Sequence, residues 1–87
     1  MRYPPNRVNS KQDYAAAMRW YRRGADKGNG TAMNQIGRLY HNGWGVQQDY
    51  AEAMRWYRRG ADKGDGWSTT NIGSLYRDGL GGRIQIP

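Results

Sequence analysis

Side-chain chemistry in this chain would have to come from few residues. There is one histidine, His41, and no cysteine; the serines are Ser10, Ser68 and Ser74. A serine nucleophile needs a base held against it, and none of these serines stands in a motif that supplies one. A metal at His41 would find only Asn42 and Asp78 as further ligands, so His41 is expected to be a solvated or helix-capping histidine. Asp62 and Asp65 offer too few oxygens for calcium. Gly43-Trp44-Gly45 and Gly79-Leu80-Gly81-Gly82 are glycine-rich. A phosphate-cradling loop follows a strand, opens a helix and carries a lysine; these glycines end helices and lack the lysine. Asn29-Gly30-Thr31 has the form of a glycosylation sequon and reads better as a helix-cap loop. No catalytic residue, metal site or cofactor is expected, and the chain does not read as an enzyme.

The arginines carry more information. Arg19, Arg22 and Arg23 recur as Arg55, Arg58 and Arg59. Spacings of three and four place each trio on one helix face. One reading is a basic ridge for nucleic-acid phosphates or acidic lipid. The other, which is preferred, is a solvated face with Arg22–Asp26 and Arg58–Asp62 pairs and Glu52 beside Arg55. The net charge of +7 over 87 residues favours acidic partners in general without choosing one.

The elements that must position these residues are helices, and they repeat. Residues 12–30 and 48–66 differ only at Ala16/Glu52 and Asn29/Asp65, an offset of 36. The following segments, 31–47 and 67–83, share Ile36/Ile72, Gly37/Gly73, Leu39/Leu75, Tyr40/Tyr76, Gly43/Gly79 and Gly45/Gly81. In the first segment Tyr14, Ala17, Met18, Tyr21 and Ala25 form a helical stripe. Asp13 and Asp49 stand as N-caps, with Glu52 completing a capping box on Asp49. Gly28 and Gly64 stand as left-handed C-caps. Ala32, Ile36, Leu39 and Tyr40 give the second segment its apolar face. Helices are expected at about 13–27, 31–42, 49–63 and 67–78, antiparallel because their links are short. An extension over 1–12 and a tail over 84–87 flank two repeats spanning 13–83. Gly24 and Gly60 lie inside helices at a cost of about 1 kcal/mol each against alanine, which predicts tight helix crossings there.

Composition limits the rest. A chain this short buries only about 60% of its unfolded surface. Cysteine is absent, so no disulfide staples it. No stretch approaches the ~20 apolar residues of a membrane span. No signal peptide opens the sequence, so the compartment is cytoplasmic by default, with a fragment of an exported protein as the alternative.

The period of 36 and two runs of residues resemble the Sel-1-like repeat, a relative of the tetratricopeptide repeat. The runs are Ile36-Gly37-x-Leu39-Tyr40-x-x-Gly43-x-Gly45-Val46-x-x-Asp49 and Ala53-x-x-Trp56-Tyr57-x-x-x-Ala61-x-x-Gly64. The match spans 12–83. Gly24 and Gly60 replace the first of two alanines usual in the family, and the order is shifted to helix B, A, B, A. The resemblance implies an all-α fold, an α-solenoid of short antiparallel hairpins wound as a right-handed superhelix. It implies an adaptor or scaffold and no catalysis; in bacteria such proteins are associated with signalling, envelope assembly and host or competitor interactions. It also makes Trp20, Tyr21, Trp56 and Tyr57 packing residues, which weakens the nucleic-acid reading.

The two copies differ mainly along helix A: Thr31/Trp67, Asn34/Thr70, Gln35/Asn71, Arg38/Ser74 and His41/Arg77. A constant scaffold with one varied face is what a binding groove would look like. A peptide or protein partner is therefore expected on the helix A face, through Gln35, Arg38, His41, Trp44, Trp67, Asn71 and Arg77. Trp44 and Trp67 are the anchor candidates, since aromatic residues dominate interaction hot spots. Two alternatives remain: the helix B ridge as an anion-binding surface, and self-association through the apolar ends of the stack.

Overall fold

The computed structural model describes residues 11–80. Within them lie four helices: α1 (Lys11–Asp26), α2 (Gly30–Asn42), α3 (Tyr50–Asp62) and α4 (Gly66–Arg77). Each packs on its sequence neighbour, and α2 also meets α4. The all-α expectation holds. Ser10, Gly81, Gly82 and the expected tail over 84–87 lie outside the described residues.

Local chemistry sets the helix ends. Asn29, Asp49 and Asp65 are N-caps; their side chains accept from the backbone N–H of Ala32, Glu52 and Ser68. Two expectations need correcting. Asp13 sits within the first turn of α1, which begins at Lys11; there it still faces the positive end of the helix dipole. The capping box on α3 is half formed. Glu52 turns away from the Asp49 backbone and pairs with Arg55 at 2.7 Å, while the Asp49 N–H donates to the Tyr40 carbonyl at 2.9 Å.

The helices close alike. Gly28 and Gly64 take φ of 88° and 89°, a left-handed turn that glycine adopts without strain. The next N–H then reaches back five residues, Asn29 to the Gly24 carbonyl and Asp65 to the Gly60 carbonyl, both at 3.0 Å. Gly43 and Gly79 end α2 and α4 in the same way.

The core is two adjoining clusters. Ala25, Met33, Ile36 and Trp56 form one, with Met18, Tyr21 and Tyr40 at its edge. Ala53, Met54, Tyr57 and Leu75 form the other, with Tyr40, Tyr50, Ile72 and Leu80 around it. Trp56 comes from α3 yet belongs to the first cluster, so it bolts the second hairpin onto the first. The interior glycines mark tight crossings, as expected. A Cβ on Gly24 would lie 3.0 Å from the Ala32 Cβ, and one on Gly60 would run into Ser68 Oγ and come within 3.0 Å of the Gly30 carbonyl.

Candidate functional site

A groove of about 580 Å³ runs between α2 and α4, lined by Thr31, Asn34, Gln35, Arg38, Trp67 and Asn71. It forms because α2 and α4 are the two copies of one repeat position and lie side by side across α3. Four of the expected residues meet here: Gln35, Arg38, Trp67 and Asn71.

Its floor is a polar relay across three helices. The Asn71 amide donates to Asn34 Oδ1 at 2.8 Å. The Asn34 amide donates to Gln35 Oε1, and Gln35 Nε2 donates to the Tyr21 hydroxyl, both at 3.4 Å. Asn34 is buried, so these bonds offset its desolvation. At the rim, Trp67 is 72% exposed. Thr31 is anchored by donating to Asp65 Oδ1 at 3.2 Å. Arg38 is exposed, and its guanidinium lies over the Trp44 ring, 5.8 Å from the centroid.

The other expected residues sit elsewhere. Trp44 stacks on Tyr14 at 5.7 Å with the rings 12° from parallel. It therefore joins the α2–α3 loop to α1 and touches the groove only through Arg38. His41 is neither solvated nor capping. It is half-buried, its Nδ1 is 3.0 Å from the Tyr57 hydroxyl, and its ring meets Tyr50 and Tyr57 edge-on. Burial holds its pKa below the usual value, with Arg38 acting in the same direction and Asp78 opposing. The Tyr57 hydroxyl is pushed up to about 12 by desolvation, against a smaller lowering from Arg38. Arg77 is exposed and pairs with Asp78 at 3.1 Å.

The helix B arginines are dispersed among different contacts. Arg55 pairs with Glu52 as expected, whereas Arg22–Asp26 and Arg58–Asp62 pairs do not form. Arg22 and Arg59 lie over the Trp56 ring, at 5.5 and 4.3 Å from its centroid. Arg23 lies over Trp20 at 5.2 Å, and Arg58 donates to the Tyr76 hydroxyl at 3.3 Å. With Trp20, Arg19 and Arg23 line a small hollow of about 270 Å³. Trp20 itself is 67% exposed. This corrects its expected packing role, because no described element lies against that side of α1.

Sequence reasoning left Asn34 and Thr31 out of the site. Both were visible as positions that differ between the copies. Their signal was weak because Asn34 is a polar residue among buried positions of α2 that are otherwise Ala32, Met33, Ile36, Gly37 and Leu39. Among the described residues no cluster of His, Asp or Glu could hold a metal, and no helix is long and apolar enough to cross a membrane.

The Sel1 repeat family model matches residues 8–29 and 30–65, about two thirds of the chain. The chain belongs to the Sel1 repeat family. The second match takes in α2, the loop and α3, and the first ends with α1 and its glycine turn. Sel1 repeats are non-catalytic helical repeats that generally mediate protein–protein interaction. No curated protein and no solved structure matches the chain.

Proposed function

We propose that this Sel1 repeat protein is a scaffold that holds an extended peptide segment of a partner protein in the α2–α4 groove. The observation that carries this reading is the joint placement of Trp67, Arg38, Gln35, Asn34 and Asn71 around one open hollow. Each supplies something a peptide needs. The Trp67 indole offers a flat apolar face at low entropic cost. The Arg38 guanidinium suits a carboxylate in a two-point contact. The Asn and Gln amides retain donors and acceptors for a peptide backbone. His41, Trp44 and Arg77 have supporting places in this reading: His41 fixes Tyr57, Trp44 backs Arg38, and Arg77 extends the basic rim.

The arginine ridge receives less support as an anion site. Arg55 is neutralised by Glu52, and Arg22 and Arg59 are drawn onto Trp56.

The test is selection of peptides from a random display library on the intact chain, followed by calorimetry. Trp67→Ala and Arg38→Ala should each weaken the selected peptides tenfold or more, with the thermal midpoint unchanged. Peptides that bind both variants like the parent would contradict the groove assignment.

A further inference from the structure

The hairpin–hairpin junction inside the chain is a template for a junction between chains. At that junction Trp56 of α3 is 8% exposed, seated on Ala25, Met33 and Ile36 with Arg22 over its ring. Tyr57 lies so close to Gly37 that a Cβ there would be 2.5 Å from Tyr57 Cε1. The incoming face is α3 and the receiving face belongs to α1 and α2.

Both faces occur a second time, with no described element packed over Trp20 or Gly73, while Tyr21 already lies at the edge of the first cluster and accepts from Gln35. The residues of α1 that correspond to Trp56 and Tyr57 are Trp20 and Tyr21, in a stretch that is identical from Ala17 to Lys27 and from Ala53 to Lys63. Trp20 is 67% exposed and already carries its own Arg23 over the ring, as Trp56 carries Arg59. The receiving positions are Ala61, Ile72 and Thr69, which replaces Met33, with Arg58, a donor to the Tyr76 hydroxyl, in the place of Arg22. Gly73, the counterpart of Gly37, is exposed, and no described residue lies within 4 Å of where its Cβ would be. One end of the described stack thus presents an indole knob, and the other a seat that keeps the alanine, isoleucine, glycine and arginine of the one that holds Trp56 and replaces its methionine by Thr69.

We propose that this chain associates head-to-tail with further copies of itself, Trp20 and Tyr21 of one copy docking on Ile72, Gly73 and Arg58 of the next. The interface is heterologous: each added copy brings a further knob at one end and a further seat at the other, so copies add one after another. A second copy is the fitting occupant, because it brings the Ala17–Lys27 stretch that duplicates the internal plug. Like charges meet at the contact, yet the template already places two guanidiniums over one indole. Screening them with salt favours assembly.

The experiment is sedimentation velocity on the intact chain over a dilution series in about 0.5 M salt. The parent is expected to grow in mass with concentration. Trp20→Ala destroys only the knob, and Gly73→Leu blocks only the seat; both positions are exposed, and circular dichroism checks that each variant stays helical. Each variant alone should remain at one chain of 10.0 kDa. Mixed together they should form a one-to-one complex and nothing larger, since one retains a seat and the other a knob. A parent that stays monomeric throughout overturns the proposal. So does growth of either variant alone, or a mixture that fails to pair.

Discussion

At the scale of single residues, repeat-equivalent positions with the same side chain occupy different environments. Gly37 is pinned under Tyr57, whereas Gly73 is open. Gly37→Ala should therefore cost about 1–3 kcal/mol through overpacking, and Gly73→Ala should gain up to about 1 kcal/mol from helix propensity. Trp56→Ala should cost about 3–5 kcal/mol, while Trp20→Ala at the exposed copy should stay within about 0.5 kcal/mol. Urea titrations of the four variants check both pairs. None of this asymmetry was legible in the sequence. Trp20 and Trp56 have identical neighbours for three residues upstream and eight downstream, and only the arrangement of hairpins tells them apart.

The His41–Tyr57 contact carries a pH signature at the same scale. The folded state disfavours charged His41, so its pKa falls below the unfolded value of 6.5. The unfolded chain then binds the proton first, and this contribution, whole above pH 6.5, is lost as pH falls below it. Tyr57 works in the opposite direction. Its folded pKa of about 12 exceeds the ordinary 10.0, so stability is whole below pH 10 and lost as pH rises toward 12. Thermal midpoints against pH should show both slopes. His41→Gln should flatten the step just below pH 6.5, and Tyr57→Phe the step above pH 10.

At the scale of elements, the caps were the most legible feature, because Asn or Asp before a helix and glycine after it act through local geometry alone. Asn29, Asp49 and Asp65 all cap as their types demand. What local patterning did not reveal is that Asp65 also works between helices. It accepts from the Ser68 N–H and hydroxyl, each at 2.8 Å, and from Thr31 of α2 at 3.2 Å. Asp49→Ala should cost about 1 kcal/mol, as an N-cap does. Asp65→Ala should cost more, about 2 kcal/mol or above, because buried Ser68 loses its acceptor as well. The Glu52–Arg55 pair is exposed on the arginine side, and Glu52→Gln should change stability by less than about 0.5 kcal/mol. Denaturant midpoints of the three variants check this order.

At the scale of the whole molecule, the constant helices α1 and α3 hold the varied helices α2 and α4 next to one another. The sequence comparison between copies pointed to that varied face, and four of its seven candidate residues do share the groove. Three do not, for physical reasons. His41 is drawn inward by the Tyr57 hydroxyl, Trp44 is drawn onto Tyr14, and Arg77 lies beyond the groove beside Asp78. The relay from Asn71 through Asn34 to Gln35 was also invisible, since its bond between helices joins Asn71 to Asn34, one residue out of the repeat register. The proposed scaffold function requires a partner to bind in that groove. Its most direct test is an amide and indole chemical-shift map of the labelled chain titrated with a selected peptide. Shifts are expected at the Trp67 indole and at the side-chain amides of Asn34, Gln35 and Asn71, with α1 outside Tyr21 unmoved. Shifts confined to Arg19, Arg23, Arg55 and the outer face of α3 would contradict it.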